Sequence, residues 1–423
     1  MTGRSKVALL TGATGFIGKS VLKRLLDDSE EWTVIVLVRP KILTRTASGK
    51  KKRRRKNARP ASSEDRMKAL VASLGIPKEH ARRLHYIESH IDGSLDPQVL
   101  YEAVKREMVQ HGATAPLRLD LVIHMAASLQ QDCDGMATER VERIRKRNYD
   151  VNVHGLNNLL TCVERFGTPE NVRVLRPSIV CGRDSRTGLM ASLDYFDSWW
   201  LRSLWSMFAA LQKKVPLPGN AGAILDIIDI QDVVRAVMDF VHLDCTHRSD
   251  SGLGSVYYMS TAYVHGKRKG ILMEEPVYPK PDQQYHNSYE ETKAMAEHVV
   301  DCWGASFKGG NSMCTYHHLT NENAPTLEEV VVMIHEHYKV PRRTYSKKLE
   351  FYSDIDDFAA ALRGLRPQMA GRYIGKFFKY IKVLTPYMMR DSSTKFDCSS
   401  TTSMLGHIVA TNEASTKYFT SIV

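Results

Sequence analysis

Hydrophobic residues in this chain fall into short continuous runs separated by amphipathic stretches of helical period. KVALLT (6–11) is an apolar run of strand length, followed by a glycine-bearing turn and then SVLKRLL, whose apolar positions recur at helical spacing. WTVIVLVR (32–39) is a second, β-branched run, and LHYIE (84–88) and DLVIHMA (120–126) read as two more strands. Thr138 to Phe166 is helical in period, and VRVLRPSIV (172–180) is another strand. Residues 224–241 begin as strand and continue as helix, SVYYMST (255–261) is a strand, and YEETKAMAEHVV (289–300) is helical. Buried strands alternating with helices predict an α/β fold, a Rossmann-type doubly wound parallel sheet with helices on both faces. Residues 1–313 are expected to form this domain, and 314–423 a smaller, mostly α-helical substrate-binding region.

Composition narrows the class. With 423 residues, 43% hydrophobic and 25% charged, the chain is expected to be globular. No apolar run approaches the roughly 20 residues that span a bilayer, and no long apolar signal region opens the chain, so a cytoplasmic location is expected. The seven cysteines are odd in number and none are spaced CxxC, which argues against a disulfide framework and a cysteine zinc site; no metal is expected. Net charge is +12, but Lys50 to Lys56 (KKKRRRK) supplies seven positive charges, and subtracting them leaves +5. A nucleic-acid-binding surface is therefore not expected. The basic run lies in a polar, turn-rich stretch, 40–66, read as a surface insertion. Residues 190–223, with Trp199, Trp200, Trp205 and Phe208, are expected to be helical and to line the substrate pocket or pack as core.

The first turn carries the clearest chemistry. Thr11-Gly12-Ala13-Thr14-Gly15-Phe16-Ile17-Gly18 joins a strand to a helix. The first glycine permits a tight turn, the second lets backbone N–H groups approach a pyrophosphate, and the third allows helix and strand to pack closely. The helix N-terminus then faces negative charge. Dinucleotide binding is predicted. At the end of the second strand, where an acidic residue would bind the ribose of NAD, stands Arg39, with Lys41 nearby. A guanidinium there suits a 2′-phosphate, so NADP (NADPH) is the expected cofactor. Asp92 is a candidate for the adenine edge.

Tyr289 and Lys293 are four apart on a predicted helix and share a face. A neighbouring ammonium favours the phenolate and lowers the tyrosine pKa, which suits proton exchange with a carbonyl oxygen. MSTAYVHG upstream puts hydroxyls at a strand's C-terminal edge, where open α/β sheets bind ligands. Thr261 is the expected partner of the substrate oxygen, with Ser260 second.

Together TGATGFIG, HMAAS (124–128), Asn152 in NVHG, RPSIVCG (176–182) and STAYVHG with SYEETK resemble the extended short-chain dehydrogenases/reductases. Within these the chain is most similar to the fatty acyl-CoA reductase and carrier-protein thioester reductase group, over roughly residues 6–330. The resemblance implies Thr261, Tyr289 and Lys293 as catalytic residues, supported by Asn152. It puts Ala126, Ala127, Pro177 and Ile179 beside the cofactor, with the loop after Arg176-Pro177 over the nicotinamide. It implies NADPH-dependent reduction of an acyl-CoA or acyl-carrier thioester to aldehyde or alcohol. A reductase or epimerase acting on a sterol, flavonoid or sugar nucleotide would use the same residues, and a weakly active NADP-binding scaffold would keep the loop alone. The basic run then suits attraction of an acidic carrier or CoA phosphates, or is a nuclear address or simply a solvated loop.

The chain departs from the family in the basic insertion and in segment order. RPSIVCG and LDIIDIQDVV precede STAY and Tyr289 here, whereas the family has them after. The connectors 244–253 and 303–312 are polar, and ten extended residues reach about 33 Å. The sheet is therefore expected to keep the family's spatial arrangement, with 172–178 leaving a gap that 255–261 fills.

Overall fold

The computed structural model describes residues 6–28, 31–39, 62–113, 117–133, 136–189, 215–246, 253–307, 313–337, 349–354, 356–358, 360–361, 387–388 and 393–407. Its centre is one sheet of parallel strands. In chain order the strands are β1 (Lys6–Thr11), β2 (Trp32–Val38), β3 (Leu84–Glu88), β4 (Leu119–His124), β5 (Asn171–Pro177), β6 (Ile179–Cys181), β7 (Val215–Pro218), β8 (Ile227–Asp229), β9 (Leu253–Met259), β10 (Ile271–Leu272), β11 (Cys314–Leu319), β12 (Leu349–Tyr352) and β13 (Lys395–Phe396). The main sheet has seven strands in the order β11-β5-β9-β4-β1-β2-β3; β6–β8, β7–β12 and β10–β13 form small pairs beside it. Its inner strands are buried on both faces, which is why they read as continuous apolar runs.

Helices cover the two faces. Helices α1 (Phe16–Asp27), α2 (Ser63–Ser73) and α7 (Ile230–Thr246) share one core with Leu10, Val36, Ile123 and Tyr257. Helices α4 (Pro97–Gln110), α6 (Gly155–Val163) and α8 (Ser288–Phe307) close the other with Leu9, Ile35, Val122 and Val256. The short α3 (Lys78–Ala81) precedes β3, and α5 (Thr138–Tyr149) packs on α8. Helix α4 shows how sequence fixes an element. Asp96 accepts the Gln98 and Val99 N–H groups, Pro97 opens the first turn, and Leu100, Val104 and Met108 recur every four residues on the buried side.

β9 lies between β4 and β5 and pairs in parallel with both, Leu121 opposite Ser255 and Val172 opposite Val256. The chain thus lays down β5 one strand-width from β4 and fills the gap about 80 residues later. The spatial arrangement expected from the resemblance is retained although the order is exchanged.

Three boundaries differ from expectation. The sheet continues past residue 313, because β11 is its edge strand beside β5. Its sequence, CTYHHL, hides a strand behind two histidines that are fully buried because their ring nitrogens find partners: Thr315 and Thr401 for His317, the Asp397 carbonyl for His318. The expected insertion 40–66 ends earlier, since residues 63–66 are the first turn of α2, capped by Ser62 and Asp65 in a reciprocal box. Of the stretch 190–223, residues 190–214 lie outside the described residues, and 215–218 form β7. The basic run 50–56 and Lys41 also lie outside them. The C-terminal region contributes α9 (Leu327–His337) and α10 (Ser399–Leu405), but also β12 and β13.

Candidate active site

The glycine turn is built by close contact. Gly12 has φ +73°, and a Cβ there would sit 2.6 Å from the Met125 carbonyl carbon and 2.7 Å from Ala126 N. A Cβ on Gly18 would collide with the Gly12 carbonyl. Thr11 is fully buried. Its hydroxyl accepts the Met125 and Ala126 N–H groups (3.2 Å each), so its proton goes to His124 Nδ1, 2.8 Å away. Thr11 thus pins the loop after β4, which Ala126 and Ala127 continue, against the glycine turn. Phe16 and Ile17 pack toward the core. No side chain caps α1 at Gly15, and its first turn holds no acidic residue. Backbone N–H groups there suit a pyrophosphate, and the residues present fit a dinucleotide.

Two guanidiniums meet beside this turn. Arg39 is exposed at the end of β2. Arg66, from α2, hydrogen-bonds the Arg39 carbonyl and donates to Thr14 Oγ1 at 3.0 Å. Burial and then the Arg39 charge lower the Arg66 pKa. Such a like-charged pair at the loop suits an anion. Arg66 was missed from sequence because it lay inside a presumed surface insertion. Asp92 is engaged by Ser94 (N 3.1 Å, Oγ 2.5 Å) and Arg147 (3.4 Å). Burial opposes its ionisation, yet these bonds hold its pKa below the usual range.

At the C-terminal end of β9, Thr261 caps a 3₁₀ turn (Ala262–His265), and its hydroxyl donates to the Pro177 carbonyl at 3.4 Å. Ser260 is buried beside it, its N–H donating to Leu175 O (2.7 Å). The Tyr289 phenol hydrogen-bonds the Thr261 hydroxyl. Lys293, 2% exposed, lies one turn along α8; its Nζ donates to Met259 O at 2.6 Å and sits 4.4 Å over the Tyr258 ring. Burial pushes the Lys293 pKa down to about 7, against the pull of Glu297. The expected lowering of the Tyr289 pKa is not found. Burial raises it above the ordinary value, more than the Thr261 bond lowers it, because the ammonium is drawn to the Met259 carbonyl.

Asn152 lies in a π-helical turn, Asp150–His154, between α5 and α6. Its side chain accepts from Ser128 N (2.7 Å) and donates to Ser128 O (3.2 Å) and Thr292 Oγ1 (3.1 Å). It therefore ties the loop after β4 to the residue preceding Lys293. Asn148 makes a parallel link, accepting from Ser128 Oγ (2.7 Å) and donating to Ser288 Oγ (2.9 Å), which in turn donates to Asp132 (2.6 Å). Asn148, Ser288 and Asp132 carried no motif of their own. His124 was legible only as a letter of HMAAS. Burial, then the Lys293 charge, lowers its pKa to about 3, and with Nδ1 accepting from Thr11 its buried Nε2 carries the proton and has no partner among the described residues.

Behind Lys293, fully buried Arg176 grips Glu297 through two bonds, Nε–Oε1 2.9 Å and Nη2–Oε2 2.6 Å. Pro177 and Ile179 follow at the end of β5 and start of β6. A cleft of about 470 Å³, lined by Asp132, Arg145, Lys267, His286 and Asn287 among others, opens at the N-terminus of α8. A larger cavity of about 780 Å³ lies between residues 321–325 and 394–399, and neither Tyr289 nor Lys293 lines it. The strand order sets the C-terminal ends of β5, β9, β4, β1 and β2 side by side, so Thr261, Lys293, the glycine turn and Arg39 share one edge of the sheet.

Comparison with known proteins places this geometry. The male sterility protein family matches residues 10–166. No curated protein matches the chain. Among solved structures, the terminal R domain of the myxalamid PKS-NRPS biosynthetic pathway is similar, with 15% identity, 99% of this chain and 90% of that one covered, and a TM-score of 0.51. The PhqB reductase domain from Penicillium fellutanum (11%, 99% and 93%, 0.47) and the UDP-glucuronic acid 4-epimerase from Bacillus cereus in complex with NAD (11%, 98% and 96%, 0.44) also match. At these identities the likeness is one of fold.

Proposed function

We propose that the chain, whose residues 10–166 match the male sterility protein family, is an NADPH-dependent reductase of acyl thioesters, carried on CoA or on a carrier protein. The observation that carries this reading is the convergence of Thr261, Tyr289 and Lys293 at the sheet edge that holds the glycine turn. Preference for NADPH rests on Arg39 and Arg66, whose paired charges suit a 2′-phosphate. The thioester rests on the resemblance of TGATGFIG, STAY and RPSIV to acyl-CoA and carrier-protein thioester reductases.

A nicotinamide held by the glycine turn would supply hydride chemistry at this edge. Tyr289, protonated at neutral pH because burial raises its pKa, donates its proton to the carbonyl oxygen as charge builds on it. The Thr261 hydroxyl shares that oxygen and orients the phenol. Lys293, when charged, stabilises the phenolate left behind and suits the ribose hydroxyls. Asn152 donates to the Thr292 hydroxyl, on the residue before Lys293, and so helps to hold that turn of α8 in place. The resulting hemithioacetal hydroxyl then gives up its proton as the carbon–sulfur bond breaks, and the thiolate takes up that proton to leave as thiol, giving an aldehyde.

The test is NADPH oxidation by the purified chain against a panel of acyl-CoAs, with NADH as control and the aldehyde trapped and identified. Turnover with a thioester and a preference for NADPH is the expected result. Turnover confined to sugar nucleotides, or NADPH binding with no turnover of any thioester, overturns it.

A further inference from the structure

A side-chain cluster outside the site described above has the make-up of a metal centre. His85 stands on β3, the edge strand of the main sheet. Glu107 is in the last turn of α4 and His111 is its C-terminal cap, four residues on and so on the same side of the helix. One nitrogen or oxygen from each of the three lies within 4.8 Å of the others. Glu107 Oε2 is 3.5 Å from His111 Nε2, and the two imidazoles stack with centroids 3.3 Å apart and planes 15° apart. His85 and Glu107 are half-buried, and His111 is at the surface.

The donor set decides the class of ion. Two imidazoles and one carboxylate suit zinc over calcium or magnesium, which prefer all-oxygen shells. Three protein ligands with a fourth position for water is a common zinc arrangement. Donors around a tetrahedral zinc, each at about 2.1 Å, stand about 3.4 Å apart. The three donor atoms already lie within 4.8 Å of one another, and the stacked rings would turn to close on a shared ion. The sequence shows no metal motif here, because His85 joins the other two only through the β3–α4 crossover.

We propose that His85, Glu107 and His111 bind one zinc ion, with water as the fourth ligand, and that the ion clamps the edge strand to α4. β3 and α4 run in opposite directions, so the cluster lies at the end of the sheet away from the glycine turn. Its role is to hold the sheet edge, and it stands or fails independently of the reductase reading.

The test uses the full chain after chelator treatment, titrated with zinc by calorimetry and with cobalt by visible absorption. One equivalent should bind, cobalt should give tetrahedral bands without the sulfur charge-transfer band of cysteine ligation, and zinc should raise the melting temperature. His111→Ala, at an exposed position, should leave the apo melting temperature in place. It should also weaken zinc binding by more than the ~10-fold that loss of even an outer partner costs. His85→Ala should do the same. Absence of binding, unchanged affinity in His111→Ala, or a sulfur charge-transfer band would each overturn the proposal.

Discussion

Replacing Glu297 with glutamine tests how the charge of Lys293 is set. Lys293 is buried with its pKa near 7, low for a lysine because its charge has left water, and Glu297 one turn along α8 works against that fall. A unit charge about 6 Å away at an effective dielectric near 20 is worth about 2.8 kcal/mol, or about two pH units. Glu297→Gln removes that support and also leaves the Arg176 guanidinium uncancelled, so the Lys293 pKa should fall by about two units or more. If Lys293 acts as an ammonium, activity is present below its pKa and lost as pH rises through it. The wild-type rate of NADPH oxidation should then decline with a midpoint near pH 7. In the variant the midpoint should move toward pH 5, costing about 50-fold at neutral pH with partial recovery in acid.

The paired variant Arg176→Met with Glu297→Met separates charge from damage. Glu297→Gln alone strands a buried cation and should cost about 3–5 kcal/mol in stability, whereas removing both charges with side chains of similar bulk is often neutral. In the pair the Glu297 support is lost as well, so the pH midpoint should stay below that of wild type while stability is kept. pH–rate profiles from 5 to 9 with parallel melting curves read both quantities. A folded Glu297→Gln enzyme with an unmoved midpoint would refute the reasoning, as would a paired variant that kept the wild-type midpoint.

Tyr289→Phe should fold and bind NADPH normally but lose about 10²- to 10⁴-fold in kcat, the usual worth of a positioned acid; stopped-flow NADPH oxidation with a cofactor titration checks both. Arg66→Ala should raise the KM for NADPH by about 10- to 100-fold, the loss of one charge-assisted bond, and leave that for NADH nearly unchanged; equal losses with both cofactors would remove Arg66 from the 2′-phosphate site. A chain rebuilt in the order 1–170, 253–312, 171–252, 313–423 should keep its melting temperature and refold faster, because β9 then meets β4 before β5 arrives; slower refolding would contradict it.

What sequence could reveal depended on whether one residue or several carried the signal. The inner strands announced themselves because both faces are buried, so every position is apolar. The glycine turn was legible because three positions need a backbone that a Cβ would obstruct, as Gly12 and Gly18 show. β11 was hidden because His317 and His318 are polar as letters and become core only through Thr401 and Asp397, some 80 residues away. Arg66 was hidden for the same reason: its meaning comes from Thr14 and the Arg39 carbonyl, across the β2–α2 connection. The π-helical turn at Asn152 leaves no trace in an apolar period, yet it turns that side chain toward both Ser128 and Thr292. The Tyr289–Lys293 spacing was read correctly as one face of a helix, but spacing says nothing about burial, which governs both pKa values.

The exchanged segment order follows a topological rule that explains why the site survives it. The match to the male sterility protein family ends at Phe166, just before β5 begins. Each exchanged segment opens on a strand of the main sheet and closes on a helix, β5 to α7 with the short β6, β7 and β8 between, and β9 to α8; the next main-sheet strand starts within a few residues, so each begins and ends at the N-terminal edge of the sheet. The groups that converge on Thr261 and Tyr289 come from the opposite edge, inside each unit. Reordering whole units therefore rewires only connections remote from the chemistry. What remains is to register the two units against each other without the usual order of synthesis to guide them. Backbone pairing of β5 with β9 sets strand register, and the Arg176–Glu297 pair joins β5 of one unit to α8 of the other in the layer beneath Lys293. A one-residue slip would turn Arg176 to the other face and bury both charges unpaired, so this ion pair penalises the wrong register far more than it stabilises the right one.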